Sequence, residues 1–220
     1  MTKEHLLIID HLKNTIKGQF EGDSSGHDWF HVERVWRNAK AIAEKENANV
    51  FVVELGALLH DIADHKFVDN FETESIKRTA DLLKPYGLHQ KVIHEIQHIV
   101  LHCSFKGGIG ENKMKTLEGK IVQDADKLDA IGAIGIARTF AFGGKFGNIL
   151  YDPTIHPIEH KNLESYQKNR THTINHFYEK LLKLKDLMHT KTAKKIAEQR
   201  HQYMEDFLTQ FYGEWKAKIT

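Results

Sequence analysis

The residues best suited to catalytic chemistry are an adjacent histidine and aspartate, His60 and Asp61, at the end of an apolar run. An imidazole nitrogen and a carboxylate oxygen offer a divalent cation two ligands of different hardness. Asp64 follows four residues after His60, which places it on the same face of a helix. An ionised carboxylate at the end of a buried segment is costly unless it is paired or bound to a cation. The sequence therefore predicts a cation site here.

Two other predicted helices each place one polar group on an otherwise apolar face. His31 lies in an amphipathic stretch that begins at position 27, and Asp126 lies in a stretch that runs from 119 to 140. Two imidazoles and two carboxylates would hold one octahedral ion and leave positions open for water and substrate. The candidate ligands are therefore His31, His60, Asp61 and Asp126.

The aspartates around position 126 are separated by the helical wheel. Asp126 and Asp129 share the inner face, whereas Asp124 points about 160° away from Asp126. Alternatives remain for single residues. His31 could be a hydrogen-bonded core histidine, and Asp126 could pair with a neighbouring cation, Arg34 or Lys127.

The elements that would position these groups are helices, because apolar residues recur at helical spacing along most of the chain. We expect helices at 3–20, 27–43, 49–65, 73–84, 89–103 and 119–140, then two long amphipathic helices at about 160–188 and 191–217. Ser24 or Ser25 is the expected N-cap of the second helix. Glycine-rich segments at 104–118 and 142–147 mark loops. The predicted fold is all-α, a single domain over 1–220 with a metal-site core at about 20–140 and a C-terminal pair of long helices at about 160–217.

Composition excludes several classes of function. The net charge is +1, from 31 basic and 30 acidic residues, so no overall field attracts nucleic acid or a membrane surface. Cys103 is the only cysteine, which excludes an intrachain disulfide framework and favours a reducing compartment. The N-terminal apolar run is too short for a signal peptide or a spanning helix. We expect a cytoplasmic protein without nucleic-acid or membrane partners.

The order of these residues resembles the signature of the HD-domain phosphohydrolase superfamily, in which a histidine, a His-Asp pair and an aspartate lie on separate helices. The more specific likeness is to its YpgQ/YedJ-like bacterial branch, and it spans nearly the whole chain. The motifs that carry it are His27-Asp28-x-x-His31-x-x-Arg34-Val35, Ala57-Leu58-Leu59-His60-Asp61-Ile62, Ser104-Phe105-Lys106-Gly107-Gly108 and Asp124-Ala125-Asp126-Lys127-Leu128-Asp129-Ala130-Ile131-Gly132.

The resemblance implies a metal-dependent phosphohydrolase with His31, His60, Asp61 and Asp126 as ligands. For this branch it implies that a metal-activated water cleaves (deoxy)nucleoside triphosphates to the monophosphate and pyrophosphate. The expected ion is Mn²⁺, with Mg²⁺, Co²⁺, Ni²⁺, Fe²⁺ and Zn²⁺ as alternatives. The (p)ppGpp-hydrolase relatives have asparagine where this chain has Ala130, which counts against that substrate. The expected partner is a small-molecule nucleotide, and assembly into a homodimer is left open.

The resemblance also implies roles for residues around the ion. Asp64 falls where related hydrolases place the acid that positions the attacking water, and Lys66 is predicted beside it as a second catalytic residue. The candidates for binding the substrate are His27, Arg34, His98, His102, Lys106, Lys127, Arg138 and Lys145. Taken alone, each lysine is more often a solvated surface residue than a phosphate ligand.

Other functions are weighed against this one. The same site could serve a nucleotide phosphodiesterase or phosphomonoesterase, or a catalytically idle nucleotide sensor, although a sensor has no need of Asp64. The segment 94–98 matches the H-E-x-x-H motif of zinc peptidases, with Glu118 as a third ligand. Sixteen histidines make a chance match easier, and no strand pattern accompanies it. His94, His98 and His102 could instead flank a phosphate pocket or simply pack.

Overall fold

The structure is a computed structural model that describes residues 1–20, 28–62, 70–103, 112–158 and 171–217. Within these ranges all regular secondary structure is helical, so the predicted all-α class is confirmed. The chain forms two compact units, Met1–Asp126 and Lys127–Thr220. Among the described residues, no helix combines the length and apolar character needed to span a lipid bilayer.

The first unit is built around one short apolar helix. Its helices are α1 (Lys3–Gln19), α2 (Trp29–Glu46), α3 (Val50–Leu59), α4 (Phe71–Leu83), α5 (Gln90–Cys103) and most of α6 (Leu117–Asp129). Every residue from 51 to 59 is buried, because α3 packs against α1, α2 and α5. We predicted that this helix would continue to position 65, but it ends at Leu59. His60 and Asp61 therefore follow the helix directly.

The start of α2 differs from the sequence-based expectation. The N-cap is Asp28, whose carboxylate accepts a hydrogen bond from the backbone N–H of His31 at 2.9 Å. The predicted caps Ser24 and Ser25 lie outside the described residues, and Trp29 is the first helical residue. A carboxylate at an N-cap satisfies an unpaired N–H, and its negative charge interacts favourably with the positive end of the helix dipole.

The predicted helix over 119–140 is two helices. α6 ends at Asp129, and α7 (Gly132–Lys145) begins after a break at Ile131, whose backbone is extended. Gly132 has φ +75°, a left-handed conformation that glycine adopts at little cost. The break separates the helix that carries Asp126 from the one that carries Arg138.

The second unit contains α7, α8 (Asn175–Glu179), a 3₁₀ helix (Leu181–Leu187) and α9 (Lys191–Trp215). α7 packs on α9, and Phe177 of α8 is fully buried, with its ring beside Phe140 of α7 and Phe207 of α9. The second long C-terminal helix was predicted correctly at 191–217. Over the described part of the predicted helix 160–188, however, the chain forms only α8 and the 3₁₀ helix.

Candidate metal centre

Four side chains from three parts of the first unit converge on one point. The Nε2 atoms of His31 and His60 are 3.3 Å apart. Asp61 Oδ2 lies 3.5 Å from each of these nitrogens. Asp126 Oδ1 lies 3.6 Å from His31 Nε2 and 3.9 Å from His60 Nε2. The structure thus brings together all four residues predicted as metal ligands.

The imidazole of His60 is oriented by the helix that precedes it. Its Nδ1 lies 2.7 Å from the carbonyl oxygen of Ala57 in the last turn of α3. Because a carbonyl oxygen only accepts hydrogen bonds, Nδ1 carries the proton and Nε2 is left with a lone pair. Histidines that bind metals typically make a hydrogen bond of this kind, from the ring nitrogen that faces away from the ion.

His31 is positioned by the first turn of α2. Its backbone N–H donates to the N-cap Asp28, and its side chain is buried, with 1% exposed. Asp28 is part of the motif around His31, but its role as the N-cap of α2 was not predicted. The spacing of an aspartate three residues before His31, at the start of an apolar pattern, was the available signal.

The donor set fits a divalent cation. Two ring nitrogens and two carboxylate oxygens meet within a few ångströms, and a proton on His31 Nε2 could serve only one of its three neighbouring acceptors at a time. A divalent cation placed between these four atoms would interact with all of them at once. Of the described residues, His31, His60 and Asp126 form the candidate metal cluster, with ligand atoms within 4.8 Å of one another. A mixed nitrogen and oxygen set suits transition metals better than calcium.

Solvent reaches the site from the carboxylate side. The side chains of His31 and His60 are each 1% exposed, whereas those of Asp61 and Asp126 are 19% and 23% exposed. The imidazoles are therefore buried, and the two carboxylates are partly exposed. A catalytic metal site keeps a position accessible to water or substrate, whereas a structural site is closed by protein ligands.

The other aspartates of α6 are arranged differently from the helical-wheel prediction. Asp124, predicted to point outward, is fully buried. The reason is that residues 121–125 are all buried, so this part of α6 has no solvent-facing side. Asp129 is buried as predicted, and its Oδ2 accepts from Arg138 Nη1 at 2.7 Å.

Two of the predicted phosphate-binding cations are engaged within the second unit. Arg138 is held by Asp129, and Lys127 is buried, with its Nζ donating to the Leu187 carbonyl at 2.9 Å and lying 3.3 Å from His189 Nε2. Both groups therefore make polar contacts within the chain. Their surroundings give no support to the predicted role in phosphate binding.

The remaining substrate-binding candidates differ in burial, and some of them lie outside the described residues. Arg34, His98 and His102 are half-buried residues of the first unit, and Lys145 is exposed at the end of α7. The rings of His98 and His102 contact each other with centroids 4.6 Å apart, and His98 Nε2 is buried without a partner among the described residues. The substrate-binding candidates His27 and Lys106, and the predicted catalytic residues Asp64 and Lys66, lie outside the described residues.

The zinc-peptidase interpretation is wrong. His94 is exposed, and its Nε2 lies 3.1 Å from Gln90 Nε2. Glu118 accepts a hydrogen bond from the backbone N–H of Asn49 at 2.9 Å. Within the part of the chain that the structure describes, His94, His98 and Glu118 form no ligand cluster. Cys103 is buried.

Comparison with known proteins identifies the family of the chain. The HD domain family model matches residues 29–131, which include all four converging residues. The Bacillus subtilis (strain 168) protein YpgQ is 38% identical over 209 residues, covering 94% of this chain and 93% of YpgQ. The crystal structure of YpgQ in complex with ADP is similar with a TM-score of 0.76 and 34% identity, covering 96% of each chain.

Two further crystal structures are similar over nearly their full length. One is an HD-superfamily hydrolase from Bacillus thuringiensis, with 42% identity, a TM-score of 0.78 and coverage of 97% of this chain and 100% of that one. The other is a protein from Lactobacillus plantarum, with 37% identity, a TM-score of 0.84 and coverage of 99% and 100%. The chain belongs to the HD-domain superfamily. It is a metal-dependent phosphohydrolase.

Proposed function

We propose that this enzyme hydrolyses (deoxy)nucleoside triphosphates to the monophosphate and pyrophosphate. The observation that carries the proposal is the convergence of the two Nε2 atoms and two carboxylate oxygens at a partly open site. The complex of the relative YpgQ with ADP supports a nucleotide as substrate. We propose Mn²⁺ as the ion and Asp61 as the fourth ligand beside His31, His60 and Asp126.

We propose a separate role in the reaction for each residue of the site. When bound, a divalent ion supplies Lewis acidity that polarises a phosphoryl oxygen and makes an attacking water more acidic. His60 is held by its bond to Ala57 with its lone pair directed into the site. Asp64, which follows the His-Asp pair, is proposed to orient the water and take its proton. Half-buried Arg34, with His98 and His102, is proposed to contact the phosphates.

The reaction itself is a displacement at the α-phosphorus. The water oxygen forms the new bond to that phosphorus, and the bond from phosphorus to the bridging oxygen breaks. Pyrophosphate departs with the electron pair, and the proton of the water passes to Asp64. Negative charge that develops on the phosphate oxygens is stabilised by cationic and hydrogen-bonding groups already in place.

The test is product analysis with purified protein, Mn²⁺ and a panel of nucleoside and deoxynucleoside triphosphates. We expect pyrophosphate and the monophosphate in equal amounts. Asp61→Asn should lose activity, whereas Glu95→Gln, which alters only the H-E-x-x-H segment, should behave as the wild type. Release of orthophosphate in place of pyrophosphate would refute the proposed reaction and favour a phosphomonoesterase.

Asp64 has a separate test. Asp64→Asn should retain Mn²⁺ binding and lose turnover, because the proposed role of Asp64 is to accept a proton and not to hold the ion. Isothermal titration with Mn²⁺ beside the pyrophosphate assay separates these effects. A loss of Mn²⁺ affinity as large as that of Asp61→Asn would contradict the assignment of Asp64.

A further inference from the structure

Glu54 is a buried carboxylate that the proposed reaction does not use. It lies in the middle of α3, and only 1% of it is exposed. Its Oε1 accepts a hydrogen bond from Trp36 Nε1 at 3.0 Å and lies 3.4 Å from Lys40 Nζ, and both partners belong to α2. Its Oε2 has no hydrogen-bond partner among the described residues.

Stability alone does not explain a glutamate at this position. A buried ion pair is often no more stabilising than apolar residues of similar volume, because both charges lose their hydration. The orphan oxygen adds a further cost. Buried polar groups have a better attested use, which is to fix the register of packed helices. Every other residue from 51 to 59 is apolar or glycine, so no other side chain of α3 in this span makes a directional bond across the interface.

The interaction lies beside the candidate metal centre. α2 and α3 are antiparallel, since His31 near the start of α2 meets His60 just after α3, and Trp36 further along α2 meets Glu54. Trp36 is five residues after His31 and Glu54 six residues before His60. At 1.5 Å per residue these offsets are about 8–9 Å along each helix. A slip of one helix along the other would change the 3.3 Å separation of the two Nε2 atoms directly.

We propose that Glu54 is a positioning residue for the metal centre. Its bonds to Trp36 and Lys40 fix the register of α2 against α3, and this register sets the distance between the His31 and His60 nitrogens. The indole of Trp36 is itself restrained, because Lys13 Nζ of α1 lies 4.8 Å from its ring centre. The inference rests on the proposed role of the two histidines as metal ligands.

The experiment measures Mn²⁺ affinity by isothermal titration of the metal-free protein, and its Tm without metal. Glu54→Met keeps the volume and removes the polar contacts. It should bind Mn²⁺ about tenfold more weakly, in the range seen when a group that orients a ligand is lost. Its Tm should be equal to or above that of the wild type. Glu54→Gln still accepts from Trp36, so it should recover most of the affinity.

A matched control and a second variant keep the test decisive. Glu74→Gln removes the charge of a half-buried glutamate that pairs with Arg78 on α4, and should change neither quantity. Trp36→Phe removes the indole donor together with part of the ring, and should weaken Mn²⁺ binding even if Glu54→Met does not fold. Wild-type affinity in either folded variant would overturn the inference. So would a loss of affinity that merely follows a loss of Tm, because that pattern indicates a purely structural role.

The outcomes also separate this inference from the proposed activity. If the wild type binds no Mn²⁺, both the metal centre and the role of Glu54 are refuted. If it binds Mn²⁺ with the expected dependence on Glu54 but releases no pyrophosphate, the proposed reaction fails and the role of Glu54 stands.

Discussion

Replacing Asp61 with asparagine perturbs the metal centre with the least change of shape. Asp61 Oδ2 lies 3.5 Å from the Nε2 atoms of both His31 and His60, and the side chain is 19% exposed. Asparagine has the same size but no charge, so it removes one of the two carboxylates from the four donors. We expect Asp61→Asn to fold normally and to lose most of its stabilisation by Mn²⁺.

The magnitude follows from linkage. Removing one partner from a largely desolvated charge interaction costs on the order of 3 kcal/mol, which is about a hundredfold in affinity. At a free Mn²⁺ concentration one hundred times the wild-type Kd, the ion stabilises the wild type by about 2.7 kcal/mol. At the same concentration a hundredfold weaker site gains only about 0.4 kcal/mol. For a chain of this size these energies correspond to a rise in Tm of about 5–11 °C for the wild type and about 1–2 °C for the variant.

The assay is thermal unfolding followed by circular dichroism, with and without Mn²⁺, at matched protein concentration. Asp81→Asn is the control, because Asp81 is an exposed aspartate of α4 in the same unit. It makes the same change of charge and should keep the full Mn²⁺ shift. An Asp61→Asn protein that Mn²⁺ stabilises as strongly as the wild type would refute the assignment of Asp61 as a ligand.

Three predictions concern the second unit and are measured by urea unfolding. Gly132→Ala should cost about 1–3 kcal/mol, because φ is +75° and a Cβ would lie 3.0 Å from the Arg200 side chain; unchanged stability would contradict the strain at this break. Phe177→Ala should cost about 3–5 kcal/mol, because the ring is fully buried, and a cost below 1 kcal/mol would show that this core is loose. Burial, with Lys180 as a lesser cause, lowers the pKa of His176 from its ordinary 6.5 to about 3, although the residue as a whole is only half-buried. Below pH 6.5 the unfolded chain therefore binds a proton that the folded chain does not, so stability should fall as the pH drops from about 6.5 towards 3. His176→Asn should reduce this dependence by at most about 1.4 kcal/mol per pH unit, and an unchanged pH profile would rule out His176 as its source.

The sequence allowed the all-α class and the main elements of the site to be predicted, for two physical reasons. Apolar residues at helical spacing identify buried helix faces, and a histidine or carboxylate on such a face needs a partner. His31, His60, Asp61 and Asp126 all met this condition, and the structure brings them together. Glu54 met it as well, as a lone charge in an apolar run, and was overlooked because it belongs to no motif.

The errors have a common cause, which is that the helical wheel assumes one buried side and an unbroken axis. Asp124 was misplaced because its part of α6 is buried all round. The break at Gly132 depends on a single left-handed residue, which periodicity cannot detect. The contacts of Arg138 and Lys127 join different elements. The partner of Arg138 is Asp129, on the helix before the break, and the partner of Lys127 is Leu187, in the 3₁₀ helix well after it. Contacts between different elements leave no local pattern in the sequence.

The bond between His60 and Ala57 has a further consequence for how the protein acquires its ion. The Ala57 carbonyl belongs to the last turn of α3, where carbonyls lack donors within the helix. The imidazole supplies that donor, so the helix end and the ligand order each other as the chain folds. The rotational entropy of this side chain, about 0.5–1.5 kcal/mol for an immobilised group, is thus lost during folding and not when the ion arrives. A newly made metal-free chain would hold His60 preorganised for capture of the cation.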